Sequence, residues 1–174
     1  MKLRLSILFV LLLGAAGLFA QKGIVKVDPF GLLIGQINVG YEHVLNEKSG
    51  IEVGLSYFRY NVTFGSAPEE AFSGIGGYAM YRIYFAKALD APRGLYAAPR
   101  IGFGSTGSSS SDQKNTRIAI GGLFGHQWVW PKDGDAGFTL DLALGIAYRT
   151  NNNEGISFNE GIGPAIRVAI GYAF

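Results

Sequence analysis

Between residues 138 and 149 large apolar and small or polar side chains alternate without a break. Phe138, Leu140, Leu142, Leu144, Ile146 and Tyr148 take one parity; Thr139, Asp141, Ala143, Gly145, Ala147 and Arg149 take the other. Successive side chains of a strand point to opposite faces, so this period of two predicts one long strand with a single apolar face. The end of the chain repeats it, with Ile162, Ile166, Val168, Ile170, Tyr172 and Phe174 opposed to Gly163, Ala165, Arg167, Ala169, Gly171 and Ala173. Five further segments, 32–45, 51–64, 73–85, 95–104 and 116–130, follow the pattern less strictly. Each runs to about 10 to 15 residues, against about 5 to 6 for an average strand, and a tilted membrane-spanning strand needs about 9 to 11.

Polar, turn-forming stretches separate these segments at 46–50, 66–72, 87–94, 105–115, 131–137 and 151–161. None is long enough to be a domain, and no longer sequence repeat is present, so the chain reads as a meander. Seven strands leave the two ends of a barrel on opposite sides, and bacterial membrane barrels use even numbers. Gly-Ile-Val-Lys-Val-Asp at 23–28 is the remaining β-rich piece, and Pro29-Phe30-Gly31 after it can turn. The pattern therefore predicts an all-β fold, an eight-stranded antiparallel up-and-down transmembrane β-barrel with a short first strand.

Alternation alone also fits a soluble barrel or sandwich with its apolar face turned inward. The other face decides between them. It carries Gly40, Gly54, Gly76, Gly102, Gly121, Gly125, Gly145 and Gly171, interleaved with Glu42, Glu52, Arg82, Arg100, Arg117, Asp141, Arg149 and Arg167. A narrow eight-stranded bore is just filled by side chains, and glycine beside a long charged residue gives that residue room to cross. On a solvent-washed face so much glycine would only weaken the strands. The aromatic residues agree: Tyr41, Phe85, Trp128, Trp130, Phe138, Tyr172 and Phe174 fall toward one end of the outward face, and Tyr57, Phe103 and Tyr148 toward the other. Two such bands are expected at the two interfaces of a membrane.

The first 20 residues have the form of an export signal. Met1-Lys2-Leu3-Arg4 is basic, 5–13 is almost unbroken apolar sequence, and small residues precede Gln21-Lys22. Cleavage after Ala20 is expected, leaving 21–174 as the barrel; the alternative is an uncleaved anchor, for which 5–20 is short. The formal charge of +2 owes itself to the leader, since removing Lys2 and Arg4 from the 15 basic residues leaves 13 to match the 13 acidic ones. A neutral mature chain gives no case for nucleic acid. The absence of cysteine excludes disulfides, thiolate metal sites and lipid attachment at an N-terminal cysteine.

The ending Val168-Ala169-Ile170-Gly171-Tyr172-Ala173-Phe174 resembles the C-terminal strand signature of outer-membrane barrels, a terminal aromatic with Tyr172 and Ile170 at alternate positions before it. That resemblance implies that the strand is read by the barrel assembly machinery. The chain from 21 onward resembles the small OmpA/OmpX-type eight-stranded barrels. It is more closely similar to a family of outer-membrane proteins of unassigned function, on Lys26-Val27-Asp28-Pro29-Phe30-Gly31-Leu32-Leu33, Asn38-Val39-Gly40-Tyr41-Glu42, Tyr81-Arg82-Ile83-Tyr84 and Ala91-Pro92-Arg93-Gly94-Leu95-Tyr96. Location in an outer membrane and contact with its lipid follow as expectations.

Small barrels include lipid-modifying enzymes, which need a nucleophile with a base in reach. The histidines are His43 and His126, both near the strand ends that carry the C-terminus, and no His-x-Ser pattern is present, Gln127 and Trp128 following His126. They read as interfacial residues. Gly104-Ser105-Thr106-Gly107 lacks the lysine and helix of a phosphate cradle, and Asp133-Gly134-Asp135 is too short for a calcium loop. No cofactor, metal or catalytic residue is expected. Buried charges must be paired, so a ladder of Glu42, Glu52, Asp141 and the five arginines filling the bore is expected. Three functions remain: a non-enzymatic structural or surface-interaction protein with an unidentified extracellular partner, a narrow pore, and a lipid-modifying enzyme.

Overall fold

The computed structural model describes residues 23–33, 35–62, 70–85, 91–108, 111–131, 136–151 and 160–174; the expected leader at 1–20 lies outside them. Eight strands follow one another in chain order: β1 (Gly23–Val27), β2 (Gln36–Asn46), β3 (Ser49–Val62), β4 (Glu70–Tyr84), β5 (Gly94–Ser108), β6 (Ser111–Trp130), β7 (Gly137–Asn151) and β8 (Gly161–Ala173). A single-turn helix, α1 (Pro29–Leu33), joins β1 to β2. Every neighbour is antiparallel and β1 closes on β8, giving an up-and-down barrel. The short first strand is present, and with it the even count.

The closure is staggered. From Lys26 the register passes through Gly40, Gly54, Tyr78, Gly102, Ala119 and Arg149 and reaches β8 at Gly161, whereas Lys26 itself faces Gly171, ten residues further on. With strands ~4.8 Å apart and a rise of ~3.3 Å per residue, that shear tilts the strands by roughly 40°. Gly23 and Phe174 meet at one end through paired backbone hydrogen bonds of 3.0 and 2.9 Å; this is called the terminal end, and the end bearing α1 the distal end.

Strand boundaries differ from the expected ones mainly at the distal end. β5 and β6 continue to Ser108 and from Ser111 through most of the stretch expected to be a loop, and β4 starts at Glu70. Polar residues there break the hydrophobic alternation but not the ladder, since backbone pairing continues wherever two strands stay adjacent. β2, conversely, starts late, because Asp28 caps α1: its Oδ1 accepts from the amides of Phe30 (2.9 Å) and Gly31 (3.1 Å), with Pro29 at the first helical position. Asn38 Nδ2 donates to the other Asp28 oxygen at 3.1 Å. The chain leaves α1 through Gly35 at φ 74°, whose carbonyl accepts from Arg59 N at 3.0 Å.

Burial is inverted relative to a water-soluble barrel. Outward apolar residues on every strand are open: Leu55 is 71% exposed, Leu144 66%, Ile166 71% and Ile162 78%. The bore holds Lys26, Glu42, Glu52, Arg82, Gln127, Thr139 and Asp141, each at 1% or less. A modest apolar cluster of Met80, Tyr84, Tyr96, Ala98, Leu123 and Ala143 packs beside them, with Ala91 of the β4–β5 connection tucked under it.

Candidate functional site

The charged cluster sits in the terminal half of the bore because register puts its acids there. Glu42 and Glu52 lie directly opposite each other on β2 and β3, an arrangement of like charges that destabilises a sheet unless a cation joins them. Lys26, reaching across from β1, supplies it: Nζ lies 2.5 Å from Glu42 Oε2, 3.0 Å from Glu52 Oε2 and 3.4 Å from Asp141 Oδ2. Arg82 of β4 pairs with Glu52 at 2.7 Å and with Asp141, and its guanidinium lies 4.2 Å above the Tyr96 ring. Arg167 of β8 closes the set, Nη2 to Glu52 Oε1 at 2.5 Å and Nε to Asp141 Oδ2 at 3.0 Å. Three cations thus neutralise three carboxylates.

Hydroxyls and one amide take up the remaining lone pairs. Tyr84 donates to Glu42 (2.5 Å), Tyr78 to Glu52 (2.7 Å) and Tyr96 to Asp141 (2.6 Å). Gln127 turns its carbonyl to the cations, accepting from Lys26 (2.5 Å) and Arg82 (3.1 Å), and its amide to acceptors, donating to Glu42 (3.2 Å) and the Pro92 carbonyl (2.6 Å). Through Pro92 and the Ala91 N to Glu47 O bond of 2.7 Å, the β4–β5 connection is tied beneath the cluster. Buried charges stand only when paired and hydrogen-bonded, and each carboxylate here is both.

Glycine makes the space, as the sequence implies, though partly for a different tenant. A Cβ at Gly54 would fall 2.6 Å from Tyr78 Oη and one at Gly40 2.7 Å from it, while a Cβ at Gly50 would meet Glu42 Oε1 at 3.0 Å. Tyr78 therefore lies flat across two glycines to reach Glu52.

Of the eight charged residues expected in the bore, Glu42, Glu52, Arg82, Asp141 and Arg167 come together. Arg100, Arg117 and Arg149 do not join them, so the expected ladder is instead one compact cluster. The reason is depth: all three acids and Arg82 lie toward the terminal end, and of the other four arginines Arg167 alone reaches down to them. Arg100 stacks 4.3 Å over Tyr78, Arg149 donates to the Pro164 carbonyl at 2.7 Å, and Arg117 lines the distal bore. Lys26, Gln127, Tyr78, Tyr84 and Tyr96 escaped sequence reasoning, although Gln127 and the three tyrosines each share the parity of an inward glycine or charge on their own strand.

On the outer face at the terminal end, Trp128 and Trp130 stack with centroids 6.5 Å apart, Trp130 meets Phe138 at 5.9 Å, and Tyr41 meets Phe174 at 6.5 Å. His126 lies 4.2 Å from Trp128 in this same band. His43 also has outward parity, opposite Gly23 and Ile51. Ile170, Tyr172 and Phe174 share the outward parity of β8.

No family model, curated protein or solved structure matches the chain.

Proposed function

We propose that the chain is an exported barrel spanning an outer membrane through its strands, with a closed bore and a non-enzymatic structural or surface-interaction role. The observation that carries this reading is the inverted burial: ionic groups at 1% exposure inside, Leu55, Leu144, Ile162 and Ile166 at 66% or more outside. At a tilt of roughly 40° the wall is roughly 50 Å round, and an apolar band about 25 Å tall on it covers on the order of 1,200 Å². The largest apolar patch of a typical soluble monomer is about 300–600 Å². Lipid is the solvent that accommodates such a belt, and the aromatic ring at the terminal end suits an interface.

A substitution separates lipid from water as that solvent. Leu144→Arg should cost about 2–4 kcal/mol in a bilayer if the residue faces the hydrocarbon midplane, and under about 0.5 kcal/mol if it faces water. Unfolding of the native and the substituted barrel in lipid vesicles reads the difference, and a change within about 0.5 kcal/mol removes the membrane reading.

A narrow pore is the second reading, favoured by a cavity of ≈ 940 Å³ in the distal bore. Against it stands the neutral cluster across the terminal half, where Arg82, Glu42, Glu52 and Asp141 have no solvent exposure. Planar-bilayer recording decides: the closed barrel gives no steady unitary conductance, and a large one overturns it. Enzymatic chemistry finds little support, since both histidines have outward parity near the terminal end.

A further inference from the structure

The distal half of the bore has a charge balance opposite in kind to the terminal half. Arg100, Arg117 and Arg149 project from the consecutive strands β5, β6 and β7 into the ≈ 940 Å³ cavity. The one carboxylate among its described lining residues is Asp28, whose oxygens are already occupied by the Phe30, Gly31 and Asn38 donors. Among the described residues no carboxylate pairs with Arg100 or Arg149: Arg100 rests on the Tyr78 face and Arg149 on a carbonyl. Arg100 and Arg149, facing one cavity with no carboxylate partner among the described residues, favour an oxyanion, which planar guanidinium forks bind in pairs. The cavity volume is that of a small-molecule site.

The wall round this cavity has an unpaired strand edge among the described residues. β1 ends at Val27 opposite Ile170, so from Gly161 to Ala169 β8 pairs with β7 alone among the described residues. α1 lies beside this interval, and Phe30 and Gly31 on one lip and Ile166 and Val168 on the other all line the cavity. Phe30 and Ile166 are 61% and 71% exposed, so the lips are apolar on the outside. We propose that the distal bore binds a phosphate or carboxylate group carried on an apolar tail, with Arg100 and Arg149 holding the head and the tail leaving between α1 and β8. This goes beyond the closed-barrel reading and holds in detergent as in a bilayer, so the two fail separately.

The test is calorimetric titration of the full barrel in dodecyl maltoside with dodecyl phosphate, inorganic phosphate and the neutral tail dodecanol. Dodecyl phosphate is expected to saturate with a Kd at least tenfold below those of the other two. The Arg100→Gln/Arg149→Gln variant should weaken it at least tenfold, and Arg59→Gln, the loss of one charge on the outer wall, should leave it unchanged. Equal binding of inorganic phosphate overturns the tail, equal binding of dodecanol overturns the anion, and no saturable binding of dodecyl phosphate overturns both. Dodecanol works on the native protein, so the test stands even where the double variant does not fold.

Discussion

Lys26 is the residue whose loss the bore should tolerate least. Its ammonium lies within 3.4 Å of Glu42, Glu52 and Asp141, and no other lysine among the described residues enters the cluster. Lys26→Met keeps the length of the side chain and removes the charge, leaving three buried carboxylates against Arg82 and Arg167. At an effective dielectric of ~20 a single contact at 3 Å is an attraction of about 5 kcal/mol, most of it offset by desolvation. Removing one partner of a buried pair costs about 3–5 kcal/mol, and that is the expected loss. The in-register repulsion of Glu42 and Glu52 gives reason to expect the upper part of that range. Lys26→Met/Glu42→Gln restores two cations to two carboxylates and should recover about 2 kcal/mol of the loss, a coupling of the size seen between touching residues. Urea unfolding in lipid vesicles, followed by the fluorescence of Trp128 and Trp130, measures both. A Lys26→Met loss under about 1 kcal/mol is the value of an exposed pair and would falsify the account of a dry, balanced cluster.

Two further substitutions probe the wall and its seam. Gly54→Val places methyl groups where the Tyr78 ring lies and should cost about 1–3 kcal/mol by displacing it from Glu52; an unfolding midpoint equal to that of the native barrel counts against the fit between Tyr78 and the glycines. Deleting Phe174 removes the two backbone hydrogen bonds to Gly23 and the ring contact with Tyr41, and should lower the amount of heat-modifiable barrel in membranes at least severalfold. Native levels without it would show that the seam closes unaided.

Strand count and facing were legible because the period is two and errors of register flip every side chain. β7 and β8 alone fixed the outward parity, and closure then required a strand at 23–28. The distal boundaries were not legible, since Ser105 to Ser108 and the start of β6 are polar on both parities and the ladder there leaves no mark in hydrophobicity. The turn of α1 was visible only as Pro29-Phe30-Gly31, without the Asp28 cap that makes it helical. In the bore, formal charge pointed to five of the six charged members of the cluster but could not rank depth, which depends on the ten-residue stagger. The tyrosines were hidden by type: an aromatic in a barrel strand reads as outward, and Tyr78, Tyr84 and Tyr96 are inward because each spends its hydroxyl on a carboxylate.

The cluster draws on all eight strands, and its membership sets an order on what a growing sheet can bury. A sheet assembled from β1 as far as β4 sets Lys26 and Arg82 against Glu42 and Glu52. Adding Asp141 with β7 leaves one carboxylate in excess, and neutrality returns only when β8 brings Arg167. An open sheet therefore keeps its inner face wet, and dehydration of the bore waits on the joining of the first and last strands. The ionic core makes closure a single event, and half-closed forms have no low-energy interior in which to rest.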